Sequence, residues 1–505
     1  MKKILVSILS VLMVLALAAP VSAENVWSYG NNSYESFSSA LSACGGSDCE
    51  ITLTSSTEES IIVDGGKNVT LNIPSGVTLT NTDDQHTILV YFGSALTIIG
   101  GGTIDNVSNG RAPIFNNGTC NIQSANIVRS AEASDSETSS GGNSYYNILN
   151  HGIMTIGAVD GKDEDLSIKS GGHYSSLVAN GYFDFSSNNP TNGYVEGTNH
   201  ENPTLTINSG TFSGGINTVK NDDNGILTVN GGKYANVTQA AIQNHGSTTI
   251  NDGYFSIDGK VDSGEDTFVV DNCGCDPVHD LGELKITGGT FTGSDYAIFD
   301  RSTQSPKITI SNITLDTDGY AIAFNSTSNA IIDISNSNVS GKVSATDTQL
   351  NIQSGTYSFD PSKYVDNTVS QASLSFNGST TYAVSDGFIR SLSEQSKSGD
   401  KIIITNGDIE LTGIPQGVSI HNAGPGEVTV NGSPVNTGQT IVVEQTPTPT
   451  PDPTPERPST RPSSPSKDLP SNTKECQKEF GDEYIWSDEY DACVIKFMIV
   501  DTSTR

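Results

Sequence analysis

A phrase that repeats between residues 205 and 255 constrains the fold more strongly than any other feature of the sequence. Each copy carries Thr, a branched apolar residue, Asn, Gly and an aromatic residue at matching positions, and successive copies are about 22 residues apart. A unit of that length is too small to bury its own apolar face. The copies therefore predict a solenoid in which each turn packs against the next.

Alternation within each copy predicts short β-strands. Apolar residues alternate with Thr, Asn and Ser, which is the period of a strand, and Gly and Asn recur every few residues at the expected corners. A turn of this length holds about three short strands, and stacked turns pair equivalent strands in parallel. We therefore predict an all-β fold, a right-handed single-stranded parallel β-helix. Two inward stacks are expected: Ile207, Val229 and Ile250 in one, and Phe212, Tyr234 and Phe255 in the other.

Glycine and asparagine are expected at the corners of this coil. Gly210, Gly232 and Gly253 occupy one position of the repeat, where a positive φ is expected. A second phrase, Asn-Gly or Asn-His-Gly, precedes the first strand of a turn. We expect Asn224 and Asn244 to bridge neighbouring corners through their side-chain amides.

One segment of the coil has no predicted register. The apolar step from Leu166 to Ile168 has the right composition, but it follows Ile156 by too few residues to join the same inward stack. The register between residues 157 and 204 is therefore left open.

These phrases resemble those of a known family. The patterns L-T-I-N-x-G-x-F and N-H-G-x-x-T-I follow a helical segment and the strand from Val69 to Asn72. Over residues 30–376 they resemble the β-helix regions of pectate-lyase-like surface proteins. Those are large adhesin-like proteins of Gram-positive bacteria. The resemblance implies the fold, but it implies little about activity because the family is recognised mainly by its coil.

Composition divides the chain into six segments. The expected segments are a signal peptide (1–23), an N-terminal cap (24–60), the β-helix (61–376), a C-terminal cap or small β domain (377–445), a Pro-rich linker (446–467) and a disulfide-bearing tail (468–505). The ends of an open coil expose unpaired strand edges, so caps are needed against end-to-end aggregation. The linker is expected to be extended because Pro recurs throughout it.

Both caps are expected to begin with a helix. In the first cap Tyr34, Phe37 and Leu41 have helical spacing, and Ser33 is the expected N-cap residue. The second cap repeats the spacing of the first, with Phe388, Leu392 and Ile402 matching Phe37, Leu41 and Ile51.

The N-terminus predicts an exported protein, and the net charge argues against anionic partners. Lys2 and Lys3 precede an apolar run and a cleavage site near Ala23, the pattern of a bacterial secretory signal. No later apolar run approaches the ~20 residues of a membrane helix, so we expect a secreted or cell-surface protein without a membrane span. A net charge of −32 argues against nucleic acid and anionic polysaccharide as partners, because both would be repelled.

Cysteine spacing predicts local disulfides, which an exported protein permits. The expected pairs are Cys44–Cys49, Cys273–Cys275 and Cys476–Cys493, with Cys120 left free inside the coil. No group of His and Cys residues has the spacing of a zinc site.

Acidic loops interrupt the period at residues 129–144, 160–165 and 258–266, and we expect all three to project from one corner. Calcium is a possible ligand there, since it takes carboxylate oxygens; solvated charges without an ion are the alternative. The candidate calcium ligands are Asp160, Asp163, Asp165, Asp258, Asp262 and Asp266. No other cofactor is predicted.

No catalytic residue is predicted. The candidates by residue type are Asp83, Asp84, Asp222, Asp223, His151 and His245. His151 and His245 share one position of the repeat, which favours a structural role. The expected function is a non-enzymatic adhesin that binds a glycan or a host or surface protein. A polysaccharide hydrolase or lyase and a purely structural envelope protein are the alternatives.

Aromatic residues in the irregular segments are the candidate glycan contacts, because aromatic rings stack on sugar rings. Packing beneath loops is the alternative. The candidates are Tyr145, Tyr146, Tyr182, Tyr194 and Tyr296.

Overall fold

A computed structural model describes residues 25–82, 84–108, 110–132, 145–158, 166–170, 175–257, 266–274, 278–293, 295–304 and 306–444, and the backbone of two strands between 484 and 495. The chain forms two units, residues 1–444 and 445–505. In this part of the chain, no helix has the length and apolar character needed to cross a membrane. The predicted signal peptide, the predicted linker and most of the tail lie outside the described residues.

The larger unit is a parallel β-helix with three stacks of short strands. The first sheet starts with the antiparallel strands Trp27–Tyr29 and Asn32–Tyr34. Its parallel strands are Asp48–Leu53, Asn68–Asn72, Ala95–Ile99, Thr119–Ile122, Ile153–Ile156, Thr204–Ile207, Ile226–Val229, Ser247–Ile250, Glu283–Ile286, Lys307–Ser311, Ile331–Ser335 and Leu350–Ile352.

The second and third sheets complete each turn. The second sheet contains Thr57–Glu58, Thr78–Thr80, Thr103–Asp105, Ala125–Val128, Leu166–Lys169, Thr211–Ser213, Lys233–Asn236, Tyr254–Ile257, Gly289–Gly293 and Gly355–Tyr357. The third contains Ile61–Val63, Ile88–Val90, Ile114–Asn116, Ile148–Asn150, Val178–Asn180, Asn217–Asn221, Ala240–Asn244, Phe268–Asn272 and Tyr296–Asp300. The long strands Ile313–Phe324 and Ser337–Ser344 run through both sheets. Ile313–Phe324 pairs with one strand of the second sheet and one of the third, and Ser337–Ser344 pairs along both parts of Ile313–Phe324.

Both predicted inward stacks are confirmed. Two sets of residues pair in register and are fully buried: Ile207, Val229 and Ile250, and Phe212, Tyr234 and Phe255. Phe291 extends the aromatic stack, whose ring centroids are 4.8, 4.7 and 4.9 Å apart with nearly parallel planes. That separation is the distance between neighbouring strands, so the backbone ladder sets the spacing of the rings.

The corner glycines have the predicted conformation. Gly210, Gly232 and Gly253 have φ of 115°, 101° and 140°. A Cβ atom at Gly253 would also lie 2.9 Å from the ring of Phe255. Glycine therefore provides both the left-handed corner and the space in which the aromatic residue turns inward.

The strand that the sequence leaves unplaced between residues 157 and 204 has a definite register. Leu166–Lys169 belongs to the second sheet, where Ile168 pairs with Ile127 on one side and Phe212 on the other. Ile168 therefore lies in the stack of Phe212 and not in that of Ile207. The same alternation of two apolar residues around a polar one occurs in strands of the first sheet and of the second, so composition did not distinguish the two sheets.

The acidic loops do not share one corner. Residues 129–144 and 258–266 both connect a strand of the second sheet to a strand of the third. Residues 160–165 instead connect Ile153–Ile156 in the first sheet to Leu166–Lys169 in the second. The prediction of one corner is wrong for this loop, and the error follows from the unplaced strand that comes after it.

The N-terminal cap contains the helix Phe37–Ala43. Its N-cap is Ser36, whose Oγ accepts a hydrogen bond from the Ser39 amide at 3.1 Å. The predicted N-cap, Ser33, is wrong because this residue lies in the strand Asn32–Tyr34, which turns back to close the first sheet.

Two contacts fasten this cap. Glu59 accepts hydrogen bonds from the Trp27 indole and from the Phe37 amide. The predicted disulfide between Cys44 and Cys49 is confirmed, with Cα atoms 5.9 Å apart. Together they join the helix to the first turns of the coil.

The C-terminal region repeats the arrangement of the N-terminal cap. The helix Asp386–Glu394 precedes the strand Lys401–Asn406, and its buried Ile389 contributes to a second hydrophobic core. Antiparallel strands link this region to the coil through Gly355–Tyr357. The remaining strands are Gln371–Phe376, Ser379–Val384, Ile409–Leu411, Ser419–Asn422, Val428–Val430, Ser433–Val435 and Thr440–Val442.

Three further elements are short. Single 3₁₀ turns occur at Ser130–Glu132 and Ser362–Tyr364. In the smaller unit, Tyr484–Ser487 pairs antiparallel with Ala492–Ile495.

Candidate functional site

A buried asparagine ladder follows the corner between the third sheet and the first. Each amide donates to the side-chain oxygen of the next turn over 2.6 to 3.0 Å. The ladder contains Asn116, Asn150, Asn180, Asn221, Asn244, Asn272 and Asp300, all fully buried. Asp300 ends it as an acceptor and also accepts hydrogen bonds from the Ser302 amide and the Ser328 hydroxyl.

The two predicted corner residues have different roles. Asn244 bridges neighbouring turns within the ladder. Asn224 also bridges corners, since its side-chain amide donates to the Glu201 carbonyl of the preceding turn at 3.4 Å, but the ladder residue of its own turn is Asn221. The corner between Asn221 and Gly225 has two more residues than the corner after Asn244. This insertion brings Asp222 and Asp223 into the corner.

Asp222 and Asp223 lie in a cluster of ionisable side chains. Asp222 is paired with Lys220 at 2.9 Å. On the next turn His245 has its Nδ1 3.1 Å from an oxygen of Asp280. The carboxyl groups of Asp280 and Asp223 also lie within hydrogen-bonding reach of each other, and this contact favours the protonated form of Asp223.

Burial and nearby charge favour the protonated form of Asp223. Burial, together with the hydrogen bond and the charge of Asp280, raises the pKa of Asp223 to about 8. The Phe185 amide, which donates to Asp223 at 3.4 Å, opposes this effect. Burial also raises the pKa of Asp222, against the attraction of Lys220.

The cluster lacks the geometry that hydrolysis of a glycoside requires. A glycosidase needs two carboxyl groups about 5–10 Å apart on either side of a sugar. Asp223 and Asp280 are hydrogen-bonded directly, and Asp222 and Asp280 are only 4% and 5% exposed. The sulfur of Cys273 also lies close to His245 and Asp280, but this cysteine is in a disulfide and has no thiolate to offer a metal. The cluster is therefore best explained as a structural contact.

The outer side of the first sheet has a central region without charged side chains, which we call the uncharged face. It spans the strands Ile153–Ile156, Thr204–Ile207, Ile226–Val229 and Ser247–Ile250. Two outward rows pair in register: Ile153, Thr204, Ile226 and Ser247 in one, and Thr155, Thr206, Thr228 and Thr249 in the other. None of these side chains is charged, although the chain has a net charge of −32. The face ends at the next strand, where Glu283 and Lys285 continue the rows.

A second, exposed asparagine ladder borders the uncharged face. Asn230 donates to Asn208 at 2.9 Å, and Asn251 donates to Asn230 at 2.8 Å. The Thr287 hydroxyl donates to Asn251 at 2.9 Å. Because successive strands are about 4.8 Å apart, the face presents hydroxyl and amide groups to solvent at regular intervals.

Tyr182 is not available as a glycan contact. Its ring is fully buried against His151, with a centroid distance of 4.6 Å, and its hydroxyl donates to the carbonyl of His200. The prediction is therefore wrong for Tyr182, because the loop at residues 183–203 folds back over it.

The other candidate tyrosines are partly exposed. They are Tyr145, Tyr146, Tyr194 and Tyr296. Tyr146 packs against the outward apolar cluster of Phe115 and Leu149. Tyr296 stacks between Phe268 and Tyr320 on the third sheet. Their contact with a glycan stays a prediction.

Most of the predicted calcium ligands lie outside the described residues. These are Asp160, Asp163, Asp165, Asp258 and Asp262. Asp266 is described and is exposed. Calcium binding stays a prediction.

The remaining cysteines are described in part. Cys120 is free and buried, as predicted, and burial raises its pKa to about 12. Cys273 is disulfide-bonded, and its predicted partner Cys275 lies outside the described residues. Cys476 also lies outside them, and only the backbone of the strand that contains Cys493 is described.

No protein-family model, curated protein or solved structure matches this chain. The assignment of the fold therefore rests on the strand register of the chain itself. The case for a function rests on the uncharged face that this register brings together.

The uncharged face was easier to predict from the sequence than the ionisable cluster. The Thr rows are visible in the repeated phrase, and their suitability for hydrogen bonding to sugars is evident from composition. Asp222 and Asp223 are visible as a pair. Asp280 has no signal, because it lies in an irregular loop and reaches the cluster only through folding.

Proposed function

We propose that the protein is a non-enzymatic, secreted or cell-surface β-helix that binds a neutral, extended polysaccharide along the uncharged face. The observation that carries this proposal is a regular face without charges in a chain of net charge −32. The acidic remainder of the surface would repel an anionic polymer. A neutral glycan would meet no such repulsion.

The chemistry of the uncharged face suits sugar hydroxyls. Thr206 and Thr228 offer hydroxyl groups that donate and accept, and the outer asparagine ladder offers amides whose orientation is already fixed. Ile153 and Ile226, which are 42% and 43% exposed, offer apolar contact to the carbon face of a sugar ring. Because the array is rigid, binding costs little side-chain entropy.

The spacing of the face suits an extended polymer. Equivalent side chains recur at the separation of parallel strands, about 4.8 Å, which is close to the length of one sugar in an extended chain. A linear glycan aligned with the coil axis would therefore meet the same contacts on successive turns. Weak contacts repeated along one polymer add to a useful affinity.

Location outside the cell is part of the same proposal. The N-terminus has the pattern of a secretory signal. The repeated phrase resembles the β-helix regions of pectate-lyase-like adhesins of Gram-positive bacteria. Both features support an adhesin over a purely structural envelope protein, although the latter would share the same coil.

A binding assay on the full mature chain tests the proposal. Pull-down with insoluble neutral polysaccharides such as cellulose, mannan and xylan is combined with a reducing-sugar assay on the same samples. We expect retention on at least one polymer without release of reducing ends. Release of reducing ends would replace the proposal with a hydrolase or lyase, and no retention on any neutral polymer would contradict it.

Paired variants locate the site. Thr228→Glu places a charge at the centre of the uncharged face, and we expect retention to fall at least about tenfold, equivalent to about 1.4 kcal/mol. Thr314→Glu makes the same change at an exposed position of the second sheet. This control is expected to bind as the wild type does. Equal loss in both variants would place the site elsewhere.

A further inference from the structure

Two loops meet over the corner that contains Asp222 and Asp223. The first, residues 181–203, leaves the third sheet one turn earlier. The second leaves the third sheet two turns later, and its residues 278–282 are described. The ring of Phe185 in the first loop stacks on His279 in the second, with a centroid distance of 4.5 Å. The loops therefore reach over the corner from opposite directions along the coil.

Asp223 contacts both loops. Its backbone exchanges two hydrogen bonds with Tyr182 of the first loop, over 3.0 and 3.1 Å. Its carboxyl group accepts a hydrogen bond from the Phe185 amide of that loop and shares a proton with Asp280 of the second. Asp280 in turn holds His245 on the intervening turn at 3.1 Å. One side chain thus connects elements from four successive turns.

The surroundings of Asp223 disfavour a further negative charge. Titratable groups surround Asp223 from its own corner, the first loop, the intervening turn and the second loop. These groups are Lys220, Asp222, Tyr182, Asp184, Tyr194, His245, His279 and Asp280. Tyr146 also senses the charge of Asp222. Lys220, the cation of this group, is already paired with Asp222 at 2.9 Å. Ionised Asp223 would therefore face Asp280 at hydrogen-bond distance without a shared proton.

We propose that the two loops form a pH-dependent clasp, which is closed while Asp223 and Asp280 share a proton and opens when that proton is lost to solvent. The closed clasp buries Tyr182 and His151 completely. Its first loop leads directly into the strand Thr204–Ile207 of the uncharged face. Opening would expose two rings beside that face and so change the surface available to a ligand.

The sign of the pH dependence follows from the shift of the carboxyl group. Because the closed state raises the pKa of Asp223, it binds a proton that the open state releases. The contribution to clasp stability is therefore present at low pH and is lost as the pH rises through the raised pKa. Below that pKa the opening equilibrium changes by up to about tenfold per pH unit.

Hydrogen–deuterium exchange on the full chain tests the clasp. Protection of amides in residues 181–203 and 278–282 is measured at about pH 6 and about pH 9, on either side of the raised pKa, after correction for intrinsic exchange. We expect protection in both loops to fall at least about tenfold at the higher pH. Protection of Leu227 and Ile250 in the coil is expected to stay constant. Unchanged protection of the loops would overturn the proposal.

Three variants separate the clasp from general alkaline loosening. Asp223→Asn can still donate to Asp280 but cannot ionise, so its loops are expected to stay protected at both pH values. Asp184→Asn removes an exposed carboxyl group of the same loop and is expected to keep the wild-type response. Asp280→Asn removes the like charge, and the fall in protection at the higher pH is expected to be smaller than in the wild type, because the new amide can donate to an ionised Asp223. A wild-type response in Asp223→Asn would also overturn the proposal. If that variant fails to fold, Asp280→Asn decides, because a fall in protection as large as that of the wild type would overturn the proposal.

Discussion

In the turns between residues 204 and 293, the same strands contribute side chains both to the interior and to the outer surface. Alternate side chains point to the two sides of each strand. The inner positions hold the stacked rings of Phe212 to Phe291 and the buried asparagine ladder. The outer positions hold Thr rows and a second asparagine ladder, whose hydrogen bonds are as long as those of the buried ladder.

The two asparagine ladders show that burial, and not bond geometry, decides the role of a hydrogen bond. Asn221 and Asn230 both donate to a neighbouring asparagine at about 3 Å. A buried amide that loses its partner has no water to replace it, which costs about 1–3 kcal/mol. An exposed amide exchanges its partner for water or for a ligand at little cost. The inner ladder therefore specifies the coil, and the outer ladder is free for recognition.

The largest expected effect of breaking the interior is at the ring stack. Phe255→Ala removes a fully buried ring between Tyr234 and Phe291 and leaves a cavity. We expect the free energy of unfolding to fall by about 3–5 kcal/mol, measured by urea denaturation. The neighbouring Tyr254→Ala removes a ring that is 46% exposed and is expected to cost under about 0.5 kcal/mol. Similar costs for the two variants would contradict the assignment of the faces.

The buried ladder is the next test. Asn221→Ala removes the side-chain acceptor of Asn180 and one of the two donors to Asn244 Oδ1, the other being the Thr248 hydroxyl. We expect a loss of about 1–3 kcal/mol in the free energy of unfolding, by the same measurement. Replacement of Asn224, which lies in the same corner but outside the ladder, is the matched control and should cost less. The reverse order would restore the corner predicted from the sequence pattern.

Asp300, at the end of the buried ladder, makes the free energy of unfolding depend on pH. Burial raises the pKa of Asp300, so its contribution to stability is present at low pH and is lost as the pH rises through the raised pKa. Asp300→Asn cannot ionise, and we expect its urea midpoint to vary less with pH than that of the wild type between about pH 4 and pH 7. Asp318→Asn, at an exposed position, is the control. Parallel pH profiles for the wild type and Asp300→Asn would exclude this role.

The smallest effect on stability is expected on the outer ladder. Asn230→Ala should change the free energy of unfolding by less than about 0.5 kcal/mol. The same change should weaken binding to the retained polysaccharide by about 1 kcal/mol, the net value of one hydrogen bond, measured by depletion of the protein from solution. A destabilisation as large as that of Asn221→Ala would make the outer ladder a structural element.

The regular part of the fold follows from periodicity. Ile207, Val229 and Ile250 were assignable to one stack because they recur at a constant spacing with polar residues between them. The positive φ of Gly253 followed from the same alignment. Errors occurred where one local pattern fits two positions. Leu166 to Ile168 fits two sheets, and Asn221 and Asn224 lie in one corner, where only Asn221 joins the buried ladder.

The candidate sites were less predictable, because they depend on the loops. Tyr182 has the composition of an exposed aromatic contact, yet the following loop buries it. Asp223 stands in an acidic pair that a solvated corner would accommodate, and its shared proton arises only because Asp280 returns to it from a later turn. Neither contact leaves a periodic trace in the sequence.

Local alternation of apolar and polar residues was sufficient for the coil, its inward stacks and its corner glycines, because side-chain direction in a strand depends on position within a few residues. Three-dimensional packing decided which asparagine is buried, which carboxyl group keeps its proton and which outer face is free of charge. These properties depend on the distance between groups that are far apart in the chain. Burial and electrostatic interaction act through space, so they exist only once the turns are stacked and the loops have folded over them.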